Sequence, residues 1–215
     1  MDSKFWIDAW KEGRTAFHQE QFHEKLLVYF PRLTPQAGQK VLVPLCGKTR
    51  DMIWLHDLGL KVYGIELYEE AVKDFFTENN LNAPMISEEQ NFKNYSFQNI
   101  TISCGDFFKF NNKEAFDIIY DRAALVALPE SMRKDYAKII TASLKKNGKY
   151  LLISYEYNQT EMEGPPFSVS ESEIQDLYKN HFTIEQLESI KPTTEGSRLS
   201  AVSSMKQNVF LLQKN

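Results

Sequence analysis

The sequence predicts a doubly wound α/β fold, and three observations carry that prediction. Residues 40–80 alternate short apolar runs with helical stripes: Val41-Leu42-Val43, then Met52, Ile53, Leu55 and Leu58, then KVYGIEL at 61–67, then Ala71, Val72, Phe75 and Phe76. A β-α-β-α order of this kind implies a parallel sheet with crossover helices on its faces. The alternation resumes with FDIIY at 116–120, a helical stretch over 129–144 that ends at Asn147-Gly148, and KYLLISY at 149–155. The composition, 42% hydrophobic and 25% charged, is that of a chain able to bury a core.

The remaining elements follow in order. The first thirty residues read as helical: Phe5, Ile7, Ala9 and Trp10 precede a break at Gly13, and Phe22, Leu26, Leu27, Tyr29 and Phe30 form a second stripe that ends at Pro31. After the turn at Pro35 and Gly38 the α/β alternation begins. Segments 92–97 and 99–103 alternate weakly and could form an antiparallel pair. Ser170-Glu-Ser-Glu173 resembles a capping box that opens a helix, and 182–187 and 209–212 read as closing strands. With 215 residues and no linker rich in Pro, Gly or Ser, the expectation is one domain, with 1–30 as a helical lid and 40–215 as the α/β core.

Charge and cysteine content narrow the partners. The balance of 25 basic against 29 acidic residues leaves a net charge of −4, and the pI is near 5.7. That gives no electrostatic footprint for nucleic acid or an anionic membrane. Mean hydropathy is −0.44, no apolar run is long enough to span a bilayer, and the N-terminus lacks the apolar core of a signal peptide. Cys46 and Cys104 lie too far apart to imply a disulfide framework or a zinc ribbon. His18 and His23, five apart, do not share a helix face, which argues against a paired metal site. A cytoplasmic monomer acting on a small molecule is expected.

The candidate site lies where open α/β sheets bind ligands, at the carboxyl ends of the strands. The turn Pro44-Leu45-Cys46-Gly47-Lys48-Thr49 follows the first strand. Its tail mimics a P-loop, but position 42 is Leu where that motif needs glycine, and G-x-G-x-x-G is absent, which disfavours nucleoside triphosphates and a nicotinamide dehydrogenase. Glu66 ends the second strand about twenty residues after the turn, where ribose-binding folds place an acid. Turn and acid together favour an adenosine-type ligand over a solvated charge. Asp106, beside Phe107 and Phe108, could meet an adenine ring or be an ordinary loop aspartate. Asp121-Arg122 after FDIIY either points into the same crevice or forms a local ion pair. The aromatic segment Phe5-Trp6-Ile7-Asp8-Ala9-Trp10 either packs on the domain or covers a flat ligand. Cys46 reads better as a small buried thiol than as a nucleophile.

Several segments together resemble one family. FWIDAWKEGRTAFHQEQ, VLVPLCGKTRDMIWLHDLGLKVYGIEL, YEEAVKDFFTENNL, FDIIYDRAALVALP and GPPFSV, taken in this order across the whole chain, are similar to the thiopurine S-methyltransferase family, and the compact length suggests a bacterial-type member. The resemblance implies a class I S-adenosylmethionine-dependent methyltransferase, with a mostly parallel, seven-stranded-type sheet. It implies cofactor contacts from Trp10, Leu45 through its backbone, Glu66 on the ribose, Gly105 and Asp106 at adenine, and Arg122 near the methionine carboxylate or the acceptor. Phe17 would stack on the substrate and Arg198 would supply a substrate-side cation. Methyl transfer from a sulfonium needs positioning more than a protein nucleophile, so no dedicated general base is expected and Arg122 acts electrostatically. The expected acceptor is a small aromatic or heterocyclic thiol. Tellurite, selenite or hydrosulfide on the same scaffold is the alternative, and a non-catalytic cofactor-binding regulator ranks behind both.

Overall fold

The structure, a computed structural model, describes residues 3–15, 18–81, 84–89, 91–192, 200 and 202–215. Phe17 and Arg198 lie outside the described residues.

The N-terminal region is helical in two pieces: α1 (Ser3–Lys11) and α2 (Glu24–Tyr29), the latter continued by a tight 3₁₀ turn over Phe30–Leu33. Pro31 therefore does not stop the chain from coiling; it sits in the first turn of the 3₁₀ segment, where its missing N–H costs nothing. Between the helices, Gly13 takes a left-handed φ of 67°, and residues 12–23 carry no helix among those described.

The α/β order follows as β1 (Lys40–Val43), α3 (Asp51–Asp57), β2 (Lys61–Glu66), α4 (Glu69–Glu78), β3 (Met85–Glu89), β4 (Phe92–Phe97), β5 (Ile100–Cys104), β6 (Phe116–Arg122), α5 (Glu130–Ser143), β7 (Leu144–Tyr157), α6 (Glu171–Tyr178), β8 (Phe182–Ile190) and β9 (Met205–Lys214). They build one nine-stranded sheet in the order β3-β4-β5-β2-β1-β6-β7-β9-β8. The five central strands β5, β2, β1, β6 and β7 run parallel, with Val41 beside Val62 on one side and Ile118 on the other. The expected pairing of 92–97 with 99–103 forms as β4 with β5, antiparallel, in the register Lys93 to Cys104. Seven strands, from β5 to β8, form the expected sheet. The sequence reading did not see β3, which hangs on the outer edge beside β4 and whose five residues are all exposed, because a strand with no buried face carries no alternation to read.

Burial on both faces explains the apolar runs. Leu42, Ile65, Ile119, Tyr150 and Leu152 face α5 and α6, whereas Val41, Val43, Val62, Ile118, Tyr120 and Ile153 face α2, α3 and α4. On α4 the buried residues are Ala71, Val72, Phe75 and Phe76, the stripe that the helical period demands. The N-cap of α6 forms as expected, Ser170 Oγ accepting the N–H of Glu173 at 3.2 Å. The reciprocal half of the box is not made; the Glu173 carboxylate instead accepts from Arg133 of α5 at 2.6 and 2.8 Å, joining the two helices. Strand β7 starts earlier than expected: Leu144 pairs with Phe116, residues 145–148 lie out of register, and pairing resumes at Lys149.

One glycine is fixed by packing under the first turn. A Cβ on Gly64 would lie 2.7 Å from Cys46 Sγ and 3.0 Å from Met52 Sδ. Gly64→Ala should destabilise the fold by about 1–3 kcal/mol through overpacking. Urea unfolding showing an unchanged midpoint would remove this constraint.

Candidate active site

The carboxyl ends of β1, β2, β5 and β6 open into a cavity of about 1450 Å³, lined by Trp10, Leu45, Gly47, Glu66, Asp106 and Arg122 among others. A single drug-sized ligand takes a pocket of roughly 300–1000 Å³, so there is room for two small molecules side by side.

The floor is the turn after β1. Leu45 (φ 46°) and Gly47 (φ 53°) are both left-handed, and the Cys46 N–H donates to the Ile65 carbonyl at 2.9 Å. A left-handed leucine costs of order 1 kcal/mol or more, and such positions cluster at ligand sites. The Cys46 thiol is buried, and burial first, then the charge of Glu66, pushes its pKa well up. It is a packing residue, not a nucleophile.

Glu66 is 6% exposed, and each of its oxygens accepts one backbone N–H: Oε2 from Gly47 at 2.9 Å and Oε1 from Tyr68 at 2.8 Å. Burial raises its pKa, and the amides of Tyr68, Gly47 and Leu67 pull it back. A carboxylate offers about four lone-pair sites, so each oxygen keeps capacity for one hydroxyl donor on a ribose. Tyr68 in turn stacks on Trp10, with ring centroids 6.4 Å apart and planes 18° apart. Asp106 caps the next turn, Oδ1 accepting from the Phe108 N–H at 2.9 Å. Gly105 does not line the cavity. Its N–H donates to the Glu66 carbonyl at 2.8 Å, and a Cβ there would fall 2.5 Å from the Phe92 ring, so what demands glycine is packing.

Asp121 and Arg122 are not an ion pair. Neighbouring strand residues face opposite sides of a sheet. Asp121 is fully buried on the α5 side, where Oδ2 accepts from the hydroxyls of Tyr136 (2.6 Å) and Tyr150 (2.7 Å) and Oδ1 accepts from the Leu125 N–H (3.1 Å). Arg122 faces the cavity, and no carboxylate among the described residues pairs with it. The left-handed Ala123 (φ 62°) next to it turns the chain away.

Sequence reasoning missed the anchorage of the cap. Asp51, 1% exposed, accepts the His23 N–H through Oδ1 at 2.8 Å and the Tyr120 hydroxyl through Oδ2 at 2.9 Å. Arg50 donates to the Glu20 carbonyl at 3.0 Å and lies 5.7 Å from the centroid of the Phe22 ring. Lys25, 6% exposed, pairs with Glu188 of β8 at 2.7 Å. An aspartate in the first turn of a helix reads in sequence as an ordinary dipole charge, so nothing pointed to Asp51.

A thiopurine S-methyltransferase family model matches residues 1–215, the whole chain. The chain belongs to the thiopurine S-methyltransferase family. Curated members include one from Bordetella pertussis, 47% identical over 183 residues that cover 84% of this chain and 83% of its own, and one from Vibrio cholerae, 38% identical over 100% of this chain and 99% of its own. Among solved structures, Burkholderia thailandensis 1,6-didemethyltoxoflavin-N1-methyltransferase with bound S-adenosylhomocysteine superposes with a TM-score of 0.67 at 16% identity, over 99% of this chain and 87% of that one. TehB from Haemophilus influenzae gives 0.65 at 19%, over 92% and 64%. These likenesses establish the class I methyltransferase fold, and the family makes the chain a methyltransferase whose cofactor is S-adenosylmethionine.

The buried His23 has a consequence for stability. Burial first, then the charges of Arg122 and Lys25, lowers its pKa from 6.5 to about 3. Between those values the unfolded chain takes up a proton that the folded one refuses. Stability is therefore full above about pH 6.5 and is lost as pH falls towards 3. From pH 7 to pH 5 the protein should lose about 2 kcal/mol more than a His23→Gln variant. Chemical denaturation at the two pH values, giving equal losses for both proteins, would contradict a buried neutral imidazole.

Proposed function

We propose that the chain transfers the methyl group of S-adenosylmethionine to the sulfur of small aromatic or heterocyclic thiols such as thiopurines. The observation that carries this reading is one cavity lined both by a clamped carboxylate, Glu66 at the end of β2, and by a cation without a carboxylate partner among the described residues, Arg122 at the end of β6. S-adenosylmethionine supplies an activated methyl on a sulfonium. Glu66 accepts the ribose hydroxyls, the backbone of Leu45 borders the methionine moiety, Trp10 covers the cofactor, and Asp106 meets the adenine edge. Gly105 supports the adenine side by letting Phe92 approach.

Arg122 favours the anionic form of the acceptor sulfur or holds the methionine carboxylate, by charge proximity in a partly water-excluded site. His18 lines the same cavity, and burial first, then Lys48, lowers its pKa, so it adds no cation at neutral pH. Positioning the sulfur on the methyl axis accomplishes most of the acceleration. Phe17 stacks on the acceptor ring and Arg198 adds a cation on its side. Pro165, Pro166 and Trp6 on the wall offer flat apolar surface, which suits a heterocycle better than a metalloid oxyanion or hydrosulfide. The unit is a single domain over 1–215 with 1–30 as lid, acting as a cytoplasmic monomer without nucleic acid or membrane. Its acidic balance supports that, and no helix among the described residues is long and apolar enough to cross a membrane.

Two measurements test these roles. Glu66→Ala should weaken binding of S-adenosylhomocysteine by about 1.5–3 kcal/mol, the range for hydrogen bonds to a charged group. Calorimetry with unchanged affinity would remove Glu66 from the ribose. Phe17→Ala should raise KM for a thiopurine far more than for hydrosulfide, because only the ring loses stacking area, whereas Arg122→Ala should impair both acceptors. Equal losses for the two acceptors in Phe17→Ala would make that ring a structural or cofactor contact.

A further inference from the structure

His23 sits in the cavity wall with one nitrogen of its ring held by its own helix. It caps α2; its backbone N–H is bound by Asp51, and its Nδ1 accepts the Lys25 N–H at 3.3 Å. A neutral imidazole that accepts at Nδ1 carries its proton on Nε2. The residue is 7% exposed, and no hydrogen bond reaches Nε2 among the described residues. His23 lines the cavity, and Nδ1 is the ring nitrogen engaged by its own helix, which leaves the Nε2–H as the donor available to a ligand there.

The surroundings say which molecule this donor meets. Glu66 and Asp106 mark the cofactor side, on β2 and next to β5. His23 lies on the other side: Asp51 ties it to Tyr120, which shares a strand face with Arg122, and the following Lys25 is tied to β8. That is the half of the sheet left for the acceptor. Arg122 lines the same cavity as His23, and its charge is one of the causes that lower the pKa of the His23 ring.

We propose that His23 is a substrate-contacting residue whose Nε2–H donates a hydrogen bond to the acceptor sulfur beside Arg122, selecting thiolate or thione acceptors. The inference rests on the thiol-acceptor reading and deepens it. Because the ring is kept neutral, it donates without adding a proton that could quench the nucleophile. It is not the base that removes the thiol proton. The donor is matched to the charge of the sulfur before transfer, and that charge disappears as the S–CH₃ bond forms and the sulfonium C–S bond breaks. The contact therefore serves binding more than turnover.

The test is steady-state kinetics with 6-mercaptopurine, alongside calorimetry with S-adenosylhomocysteine. His23→Phe, close in shape but without the donor, should raise KM by roughly tenfold to a hundredfold, the effect of losing a hydrogen bond to a charged group, with kcat no lower than in the wild type. S-adenosylhomocysteine affinity should stay within twofold, and His23→Gln, whose amide can donate from a similar place, should recover most of the KM. An unchanged KM in His23→Phe, or a KM effect matched by equal losses in kcat and cofactor affinity, overturns the assignment. If the wild type itself leaves 6-mercaptopurine unmethylated, the substrate reading falls instead, which separates the two failures. Should His23→Phe not fold, nitrogen NMR of the wild type decides: adding 6-mercaptopurine to the S-adenosylhomocysteine complex must shift the His23 Nε2 resonance, and an unmoved signal refutes the contact.

Discussion

The site depends first on a buried carboxylate that is bound by backbone rather than by a cation. Glu66 accepts the N–H of Gly47 in the turn after β1 and the N–H of Tyr68 at the entrance to α4. One side chain thereby sets the spacing between two adjacent strand ends. A lysine or arginine partner would satisfy the charge equally well but would occupy lone pairs that the backbone amides leave open. Backbone amides stabilise the ionised form while leaving each oxygen half free. The left-handed Leu45 and Gly47 follow from this arrangement, since the turn must bend back far enough to offer its N–H to the second strand.

The same logic, a buried acid held by neutral donors, recurs twice around the cavity. Asp121 takes two tyrosine hydroxyls and one amide on the α5 face, which fixes the end of β6 and the strained turn at Ala123. Asp51 takes the Tyr120 hydroxyl and the His23 amide on the opposite face, which ties the N-terminal cap to the sheet. Arg122 and Tyr120 project between these anchors. Removing the donors around either acid would leave a buried charge without partners, a cost that binds the strand ends, the turn and the cap into one cooperative unit. The cap is thus a wall of the site and not a separate appendage, although α1 reaches it mainly through rings such as Trp10 on Tyr68.

How much of this was legible in the sequence varies with the kind of interaction. Strands β1, β2 and β6 were readable because strands covered on both faces become continuous apolar runs, and α4 because its buried stripe repeats at the helical period. That Glu66 and Arg122 line the cavity was readable because the carboxyl ends of parallel strands converge, so a polar residue at a strand end already has a direction. Exposed β3 had no such signal, and Asp51 looked like any acid that opens a helix.

The sequence by itself determined the α/β alternation, the family and the strand ends that line the cavity, because these depend on periodicity and on motifs that are local in the chain. Only the tertiary structure decided that Asp121 and not Arg122 takes the buried α5 face, that Gly105 serves Phe92, and that His23 is buried and neutral. The physical reason is that each of these depends on a partner distant in sequence: Tyr150 for Asp121, Phe92 for Gly105, and Asp51 for His23. A hydrogen bond between residues brought together only by the sheet leaves no periodic trace in the chain that makes it.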